Sequence, residues 1–435
     1  MRTTIICIVA VILAFFVIQC GDNTSLREGK LLYSQGKYAQ ALAKYDQQLT
    51  KTPRGRLAKQ ANLEIRKLYK EWIEAELKFQ RFESVLTLMK DLVKRYPDSE
   101  EAKWVQGQQS QTEYKADMEM MQKGFVPEAS KRMKEFIKTY PDDPNIGAIR
   151  ESLDGIGIIA FVKDGNIWLS MADGSDPRMV VKNGIYPDLS HDGKNIAFIR
   201  PNKPGDTVGQ LYYCTIEGKN ETQLLKSPIA FRPRWSANGI RVAVSKENFF
   251  QFVDMESEEA KTIRPEELGY AGIFDSFGDW SSDLKILICY SKEPGEDGLF
   301  QVCRVDSDLS KAFKLSDSKS PIRDVSFSYD DTSIGVSDGE GLYILDPQGL
   351  NKTTLVDKAK HELDVYSIAF SPSGKSIFFI AKDKSGKFFP YIIGRGDIGL
   401  KGTLILPVFI SGAEEGWETQ PLGCSWTVGK LGPAQ

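Results

Sequence analysis

The stretch Pro187-Asp-Leu-Ser-His-Asp-Gly-Lys-Asn-Ile-Ala-Phe-Ile199 carries apolar runs on both sides of an Asp-Gly pair. This pattern predicts two strands joined by a tight turn, because Asp and Gly accept the backbone conformations that such turns require. Variants of the stretch recur further along the chain and begin at Pro233, Gly278, Val325 and Ile368. Each copy has an aromatic residue or Leu before a Ser, and a turn residue shortly after it.

The serines of the five copies are Ser190, Ser236, Ser281, Ser328 and Ser371. They lie about 45 residues apart, a period typical of the blades of a β-propeller. The first hairpin, Ile158–Ser170, lacks the strand that precedes it in the other copies, and Leu422–Lys430 supplies a matching one, with Trp426 in the place of Trp235. A C-terminal strand that completes the N-terminal blade leaves no open edge. We therefore expect a six-bladed propeller over 158–430, followed by a tail at 431–435.

The repeated residues are interpreted as determinants of the fold. The serines can hydrogen-bond the backbone of the turn, and the aromatic residues should pack between neighbouring blades. Ser190 beside His191 could suggest a nucleophile and its base, but adjacent residues on a turn rarely face each other. The chain has two histidines and no catalytic or metal-binding motif of known spacing. We expect no catalytic residue, metal or cofactor.

The N-terminus reads as an export signal. Ile5–Ile18 is an unbroken apolar run, too short to span a bilayer as a helix, and Gln19, Cys20 and Gly21 follow it. Val17–Cys20 resembles the lipobox of bacterial lipoproteins, with Gln19 where a small residue is usual. The resemblance implies a signal peptide at 1–19, lipidation of Cys20 and a tether at 20–24. An ordinary cleaved signal and a short uncleaved anchor, with Cys20 incidental, remain the alternatives.

Gly21 stands where an aspartate favours inner-membrane retention in enterobacterial lipoproteins. The resemblance therefore implies the periplasmic face of the outer membrane, and leaves the inner membrane and the cell surface open. Four cysteines follow, at 214, 289, 303 and 424. Buried free thiols are the favoured interpretation, although Cys289 and Cys303 fall on consecutive predicted strands where a bridge is conceivable.

Residues 25–152 have the periodicity of amphipathic helices. Gly36–Pro53 resembles the second helix of a tetratricopeptide (TPR) repeat, with Ala41 small and Tyr45 aromatic, and Pro97 and Pro141 end two further copies at equal spacing. The resemblance implies three TPR-like units in an α-solenoid that presents a concave surface to a partner. Helical packing with no groove in use is the alternative. Two glycines at 153–157 mark a linker.

After the linker, Asn166–Leu169 with Ala172–Ser175 resembles the strand-and-turn phrase of TolB-like, WD40-like propellers. This resemblance covers nearly all of 156–430 and implies a protein-binding platform in the cell envelope, with a peptidoglycan-associated partner among the candidates. The connections into the innermost strands should gather at one face of the channel, where aromatic and Arg residues resemble interface anchors. The candidates are Tyr186, Phe231, Arg232, Arg234, Phe277, Asp279, Arg323, Asp324, Tyr366 and Trp417. Loop residues with no shared partner are the alternative.

The net charge of -3 gives no electrostatic footprint for nucleic acid. Together these features predict a non-enzymatic scaffold, tethered to a membrane, that binds envelope proteins through the helical array and the propeller. A peptidoglycan- or glycan-binding protein is the main alternative. A propeller-based hydrolase, or an accessory to one, is less favoured because the chain has no room for a catalytic domain.

Overall fold

The computed structural model describes residues 23–225, 231–246, 249–268, 273–291, 299–306, 311–395, 405–408, 416–417, 420 and 422–431. The predicted signal peptide at 1–19 and the lipidation site Cys20 lie outside these residues. The chain divides into two compact units, Met1–Ala116 and Asp117–Gln435. The predicted linker at 153–157 therefore does not coincide with the boundary between the units.

The described α-helices precede the sheets, except for one short α-helix between two strands, and a 3₁₀ helix, Pro265–Leu268, lies between two other strands. The α-helices are α1 Thr24–Ser34, α2 Tyr38–Lys51, α3 Arg56–Lys78, α4 Phe82–Arg95, α5 Glu100–Gln106, α6 Gln109–Gln122, α7 Val126–Thr139, α8 Ile146–Asp154 and α9 Lys358–His361.

In the first unit, helices α1 to α5 each pack on the next along the chain. Tyr45 on α2 is fully buried against α1, and a Cβ at Gly29 would lie 2.5 Å from its ring. Because only glycine fits there, α1 and α2 can approach closely. The predicted helix ends are also present, since α2 and α4 end two residues before Pro53 and Pro97. Proline disfavours helical backbone at the residue before it.

The described strands are β1 Ile158–Lys163, β2 Asn166–Met171, β3 Arg178–Val181, β4 Ile185–Leu189, β5 Asn195–Pro201, β6 Gly209–Thr215, β7 Thr222–Gln223, β8 Phe231–Trp235, β9 Arg241–Lys246, β10 Phe249–Asp254, β11 Ala260–Ile263, β12 Ile273–Trp280, β13 Ile286–Ser291, β14 Phe300–Val305, β15 Ala312–Ser318, β16 Asp324–Phe327, β17 Ile334–Asp338, β18 Gly341–Leu345, β19 Lys352–Asp357, β20 Asp364–Phe370, β21 Ser376–Lys382, β22 Phe388–Gly394, β23 Ile405–Pro407 and β24 Cys424–Thr427.

These strands form six four-stranded antiparallel sheets. Sheet 1 is β24-β1-β2-β3, and sheets 2 to 6 follow in chain order, each with its first strand innermost. The innermost strands β24, β4, β8, β12, β16 and β20 each contact the next, and β20 contacts β24 again. The fold is therefore a closed β-propeller. Its closure is the predicted one, because β24 pairs with β1 and places Trp426 opposite Ile159.

The repeated serines have the structural role expected of them. Ser190 accepts a hydrogen bond from the backbone N–H of Asn195 at 3.0 Å, and its hydroxyl donates to Asp192 Oδ1 at 2.6 Å. The same bonds recur around Ser236, Ser281 and Ser328, and Ser371 accepts from the backbone of Ser376. Each hydroxyl thus ties the strand before the turn to the strand after it.

The aromatic residues of the repeat pack between sheets, as predicted. Trp280 of sheet 4 lies against Phe252 of sheet 3, with ring centroids 4.7 Å apart. Phe370 of sheet 6 covers Gly335 of sheet 5, where a Cβ would lie 3.0 Å from its ring. These contacts bury large apolar surfaces at the sheet boundaries.

Helix α7 belongs to the same compact unit as the propeller. Val126 at its start is part of the propeller core, and Ser376 Oγ on β21 donates to the carbonyl of Gly124 at 3.0 Å. Lys134 Nζ also pairs with Asp173 in the turn after β2, at 2.6 Å. The third predicted helical unit is therefore anchored on the propeller, which explains why the compact unit begins at Asp117 instead of after the glycines.

Cys214 and Cys424 are buried free thiols, and Cys303 is also buried. The conceivable bridge between Cys289 and Cys303 lies outside the described part of the structure, because the side chain of Cys289 does. Among the described helices, none has both the length and the apolar character needed to cross a bilayer.

Candidate functional site

The channel of the propeller is lined by one residue from each innermost strand. This residue stands two positions before the repeated Ser or Thr, and therefore points to the same side of the strand in every sheet. The six residues are Asp188, Arg234, Asp279, Ser326, Ala369 and Ser425. Arg234 and Asp279 are among the predicted partner-binding residues, and the other four are not.

Arg234 on β8 lies at the centre of the channel and its side chain is 7% exposed. Its Nη2 lies 3.0 Å from Asp324 Oδ1, its Nη1 lies 3.5 Å from Asp188 Oδ1, and its Nε donates to the carbonyl of Gly278 at 3.0 Å. A buried guanidinium needs such partners, because burying an unpaired charge costs several kcal/mol. Arg234 is therefore held by sheets 2, 4 and 5 at once.

The channel carboxylates also bond to the backbone of a neighbouring sheet. Asp188 accepts from the N–H of Trp235 at 2.6 Å, Asp279 from the N–H of Phe327 at 2.8 Å, and Asp324 from the N–H of Ile368 at 3.1 Å. These bonds join innermost strands that do not otherwise pair as a sheet. The polar centre of the channel therefore holds the ring together.

Burial controls the ionisation of this cluster. Desolvation raises the pKa of Asp188 to about 7, although Arg234 and the Trp235 N–H favour its charged form. Desolvation also raises the pKa of Asp279. For Arg234 burial alone would lower the pKa, but the nearby Asp324 and Asp188 carboxylates outweigh it and raise the pKa.

One mouth of the channel contains a cavity of about 190 Å³. Six of the predicted partner-binding residues line it, namely Tyr186, Arg232, Arg234, Arg323, Asp324 and Tyr366. We call this cavity the mouth cavity. The structure places these six predicted residues around one mouth of the channel.

Arg323 is held rigidly in the wall of the mouth cavity. Its guanidinium forms two hydrogen bonds with the Asp364 carboxylate, at 2.7 and 3.2 Å, and lies over the ring of Tyr366 at 4.2 Å from the centroid. Burial alone would raise the pKa of Asp364, but hydrogen bonds from Arg323 and Lys358 lower it. The Asp364 carboxylate therefore remains ionised at neutral pH.

Tyr186 and Arg232 occupy the same position in two adjacent sheets. Both have left-handed backbone, with φ of 52° and 51°, and both lie at register shifts in the pairing of the innermost strand. Such β-bulges redirect a side chain, and left-handed backbone is costly for residues other than glycine. The chain keeps this conformation where the two side chains line the mouth cavity.

A second cavity of about 80 Å³ lies further along the channel. His191 lines it and lies against Tyr329, with ring centroids 4.9 Å apart. Desolvation lowers the pKa of His191, and the Tyr329 hydroxyl donates to the carbonyl of Trp426 at 2.7 Å. The hydroxyl of Ser190 is bonded to Asp192, so Ser190 and His191 are not arranged as a nucleophile and base.

Two predicted partner-binding residues with described side chains do not line the mouth cavity. Asp279 lines the second cavity, where it bonds to sheet 5. Trp417 is 3% exposed, is stacked on Phe161 and pairs with the backbone of Phe388, so it belongs to the core. Phe231 and Phe277 lie on β8 and β12, but their side chains fall outside the described part of the structure.

Arg234 and Asp324 reach the cavity wall from buried positions, 6% and 3% exposed. They support the wall, whereas Tyr186, Arg232, Arg323 and Tyr366 are partly exposed. Within the described residues, no group of three or more His, Cys, Asp or Glu side chains could hold a metal ion.

Comparisons with known proteins find similarity at low sequence identity. No protein-family model matches the chain, and no curated protein matches it either. Among solved structures, TolB from Acinetobacter baumannii is 16% identical, with a TM-score of 0.49 over 65% of this chain and 70% of that one. A putative TolB from Agrobacterium tumefaciens is 15% identical, with a TM-score of 0.44 over 58% and 88%. The propeller domain of the Trilobed protease from Pyrococcus furiosus is 18% identical, with a TM-score of 0.37 over 56% and 73%.

Proposed function

We propose that this protein is a non-enzymatic scaffold of the bacterial cell envelope, which binds a partner protein at the mouth cavity. The observation that carries the proposal is the grouping of Tyr186, Arg232, Arg323 and Tyr366 around one cavity. Tyr and Arg are enriched among the residues that dominate binding energy at protein interfaces.

The geometry of the mouth supports a protein-binding role in a second way. Arg323 is fixed by Asp364 and by the ring of Tyr366, so little side-chain entropy is lost when a partner contacts it. Preorganised anchors of this kind strengthen binding without new contacts. A partner would also cover the two tyrosines, whose rings offer large contact areas at low entropic cost.

The helical unit is proposed to be a TPR-like array that holds a further partner. Its close α1–α2 contact through Gly29 and Tyr45 supports this proposal, because stacked helix pairs of this kind form extended binding surfaces. The lipid anchor at Cys20 and the location at the periplasmic face of the outer membrane are likewise proposals, supported by the lipobox resemblance. A peptidoglycan-associated protein is the partner class that the TolB-like resemblance suggests.

Affinity capture from detergent-solubilised envelopes tests the scaffold. The tagged wild type, the Arg232→Ala and Tyr366→Ala variants, and Arg241→Ala as control would be compared by quantitative mass spectrometry. Arg241 is exposed at the start of β9, away from the cavity. We expect a protein that is captured by the wild type and the control and is depleted from both mouth variants.

The same capture experiment distinguishes the scaffold from the main alternative, a peptidoglycan- or glycan-binding protein. Recovery of peptidoglycan fragments without any variant-sensitive protein would contradict the scaffold and favour glycan binding. The anchor is tested independently by metabolic labelling with a palmitate analogue. Label should be incorporated by the wild type and lost in Cys20→Ala, and equal labelling of the two would exclude Cys20 as the lipidated residue.

A further inference from the structure

The described ion pairs around the mouth cavity join unequal numbers of cations and carboxylates. Among the described residues, ion pairs connect Arg232, Arg234, Arg323 and Lys358 with Asp188, Asp324 and Asp364. Four cations therefore share three carboxylates. Asp279 lines the second cavity, as Asp188 also does, and interacts electrostatically with Arg234 from there, while its carboxylate accepts hydrogen bonds from sheet 5.

Arg232 is the cation with the weakest pairing. Its nearest carboxylate oxygen, Asp324 Oδ1, lies 3.8 Å from Nη1, whereas the same oxygen lies 3.0 Å from Arg234. Its Nη2 donates to the carbonyl of Arg323. Nη1 is buried and has no hydrogen-bond partner among the described residues. A buried donor without a hydrogen-bond partner lowers stability. We therefore expect Nη1 to find an acceptor when the protein performs its function.

The cavity beside Arg232 has room for a small group. Its volume of about 190 Å³ exceeds that of an engineered cavity of about 150 Å³ that binds benzene. That space accommodates a carboxylate with a few carbon atoms, and Tyr186 and Tyr366 would flank them. The one weakly paired cation, Arg232, also matches one carboxylate better than a phosphate ester, which carries about two negative charges at neutral pH.

We propose that the mouth cavity binds one carboxylate group of a partner polypeptide, with the guanidinium of Arg232 as its principal ligand. Arginine suits this role because its planar fork presents two parallel donors to a carboxylate. The inference rests on the proposed function and adds the chemistry of the contact. A C-terminal carboxylate and an Asp or Glu side chain share this chemistry.

Fluorescence anisotropy with short dansylated peptides tests the proposal on the full chain in detergent. The probes are dansyl-Gly-Gly-Tyr as the free acid, the same peptide as its amide, and dansyl-Glu-Gly-Tyr as the amide. We expect at least one acidic probe to bind about tenfold or more tighter than the neutral amide, since charge-assisted bonds are about twice as strong as neutral ones. Tighter binding of the free acid identifies a C-terminal carboxylate as the bound group. Tighter binding of the Glu-containing amide identifies an Asp or Glu side chain.

Arg232→Gln should abolish the preference for acidic probes, and Arg232→Lys should retain part of it. The control Arg241→Gln should bind as the wild type does. Equal binding of all three probes, or an unchanged preference in Arg232→Gln, would overturn the proposal. If the peptide test fails but Tyr366→Ala still depletes a captured protein, the scaffold function is supported and the carboxylate site is not. A preference for acidic probes with no captured protein supports the carboxylate site and contradicts the scaffold.

Discussion

Replacing Arg234 by Met should destabilise the propeller strongly. The substitution keeps much of the side-chain volume but leaves Asp188 and Asp324 buried beside an apolar group, after losing pairs at 3.5 and 3.0 Å. Removing one partner of a buried ion pair costs about 3 to 5 kcal/mol. For a unit of this size, that loss corresponds to a decrease in the thermal midpoint of about 6 to 10 °C.

The cost should also depend on pH. Without Arg234 the pKa of Asp188, already raised to about 7, rises further. A carboxyl whose folded pKa lies above its unfolded value stabilises the protein at low pH, and this stabilisation is lost as the pH rises through the folded value. Arg234→Met should therefore lose more stability, relative to the wild type, at pH 8 than at pH 5.

Differential scanning calorimetry at both pH values measures the effect, with Arg241→Met as an exposed control on the same sheet. The control should stay within about 0.5 kcal/mol of the wild type, as surface substitutions usually do. A midpoint decrease no larger than that of the control, or an equal decrease at pH 5 and pH 8, would refute this account of the channel centre.

Three further outcomes are expected. Asp188→Asn should gain stability relative to the wild type as the pH rises from 5 to 8. The reason is that the ordinary carboxyl pKa of 3.8 is raised to about 7 in the fold, whereas Asn does not ionise. A difference in thermal midpoint that stays constant with pH would contradict this. Gly335→Val should lower the midpoint by about 2 to 6 °C, since overpacking against Phe370 costs about 1 to 3 kcal/mol, and an unchanged midpoint would show that the sheets can separate there. Truncation after Gly423 should cause association detectable by size-exclusion chromatography, because it exposes the edge of β1, whereas truncation after Leu431 should leave the elution volume unchanged.

The repeat made the architecture of the propeller predictable. Its turn residues repeat in sequence, so the roles of Ser190 and its counterparts follow from one copy. Comparing the first hairpin with the others was sufficient to predict that β24 pairs with β1, because the missing strand has a recognisable Trp and Thr at Trp426 and Thr427. These features were predictable because the turn residues and the strand register both repeat in the sequence.

The centre of the channel was less predictable. Asp188, Ser326 and Ser425 stand at the same position relative to the turn as Arg234, and this alignment was the available signal. Their hydrogen bonds run between sheets, so they depend on how adjacent sheets pack. Trp417 was assigned to the mouth because it precedes the last strand, but the spacing there departs from the repeat, and its ring packs on Phe161.

The position of helix α7 was also not predictable from periodicity. Its sequence resembles the preceding helical units, and its helix ends before Pro141 as theirs do before Pro53 and Pro97. What distinguishes it is the contact of Gly124 with Ser376 on β21. This contact joins residues far apart in the chain, and a helical pattern contains no information about it.

Photo-crosslinking in intact cells tests the central claim most directly. A benzoylphenylalanine replaces Tyr366 in the mouth cavity, and in a control it replaces Met179, which is 49% exposed on the outer strand β3. The account predicts a discrete protein adduct from position 366 that is absent from position 179 and is lost when Arg232→Gln is added. No adduct from position 366, or the same adducts from both positions, would contradict a partner-binding site at the mouth of the channel.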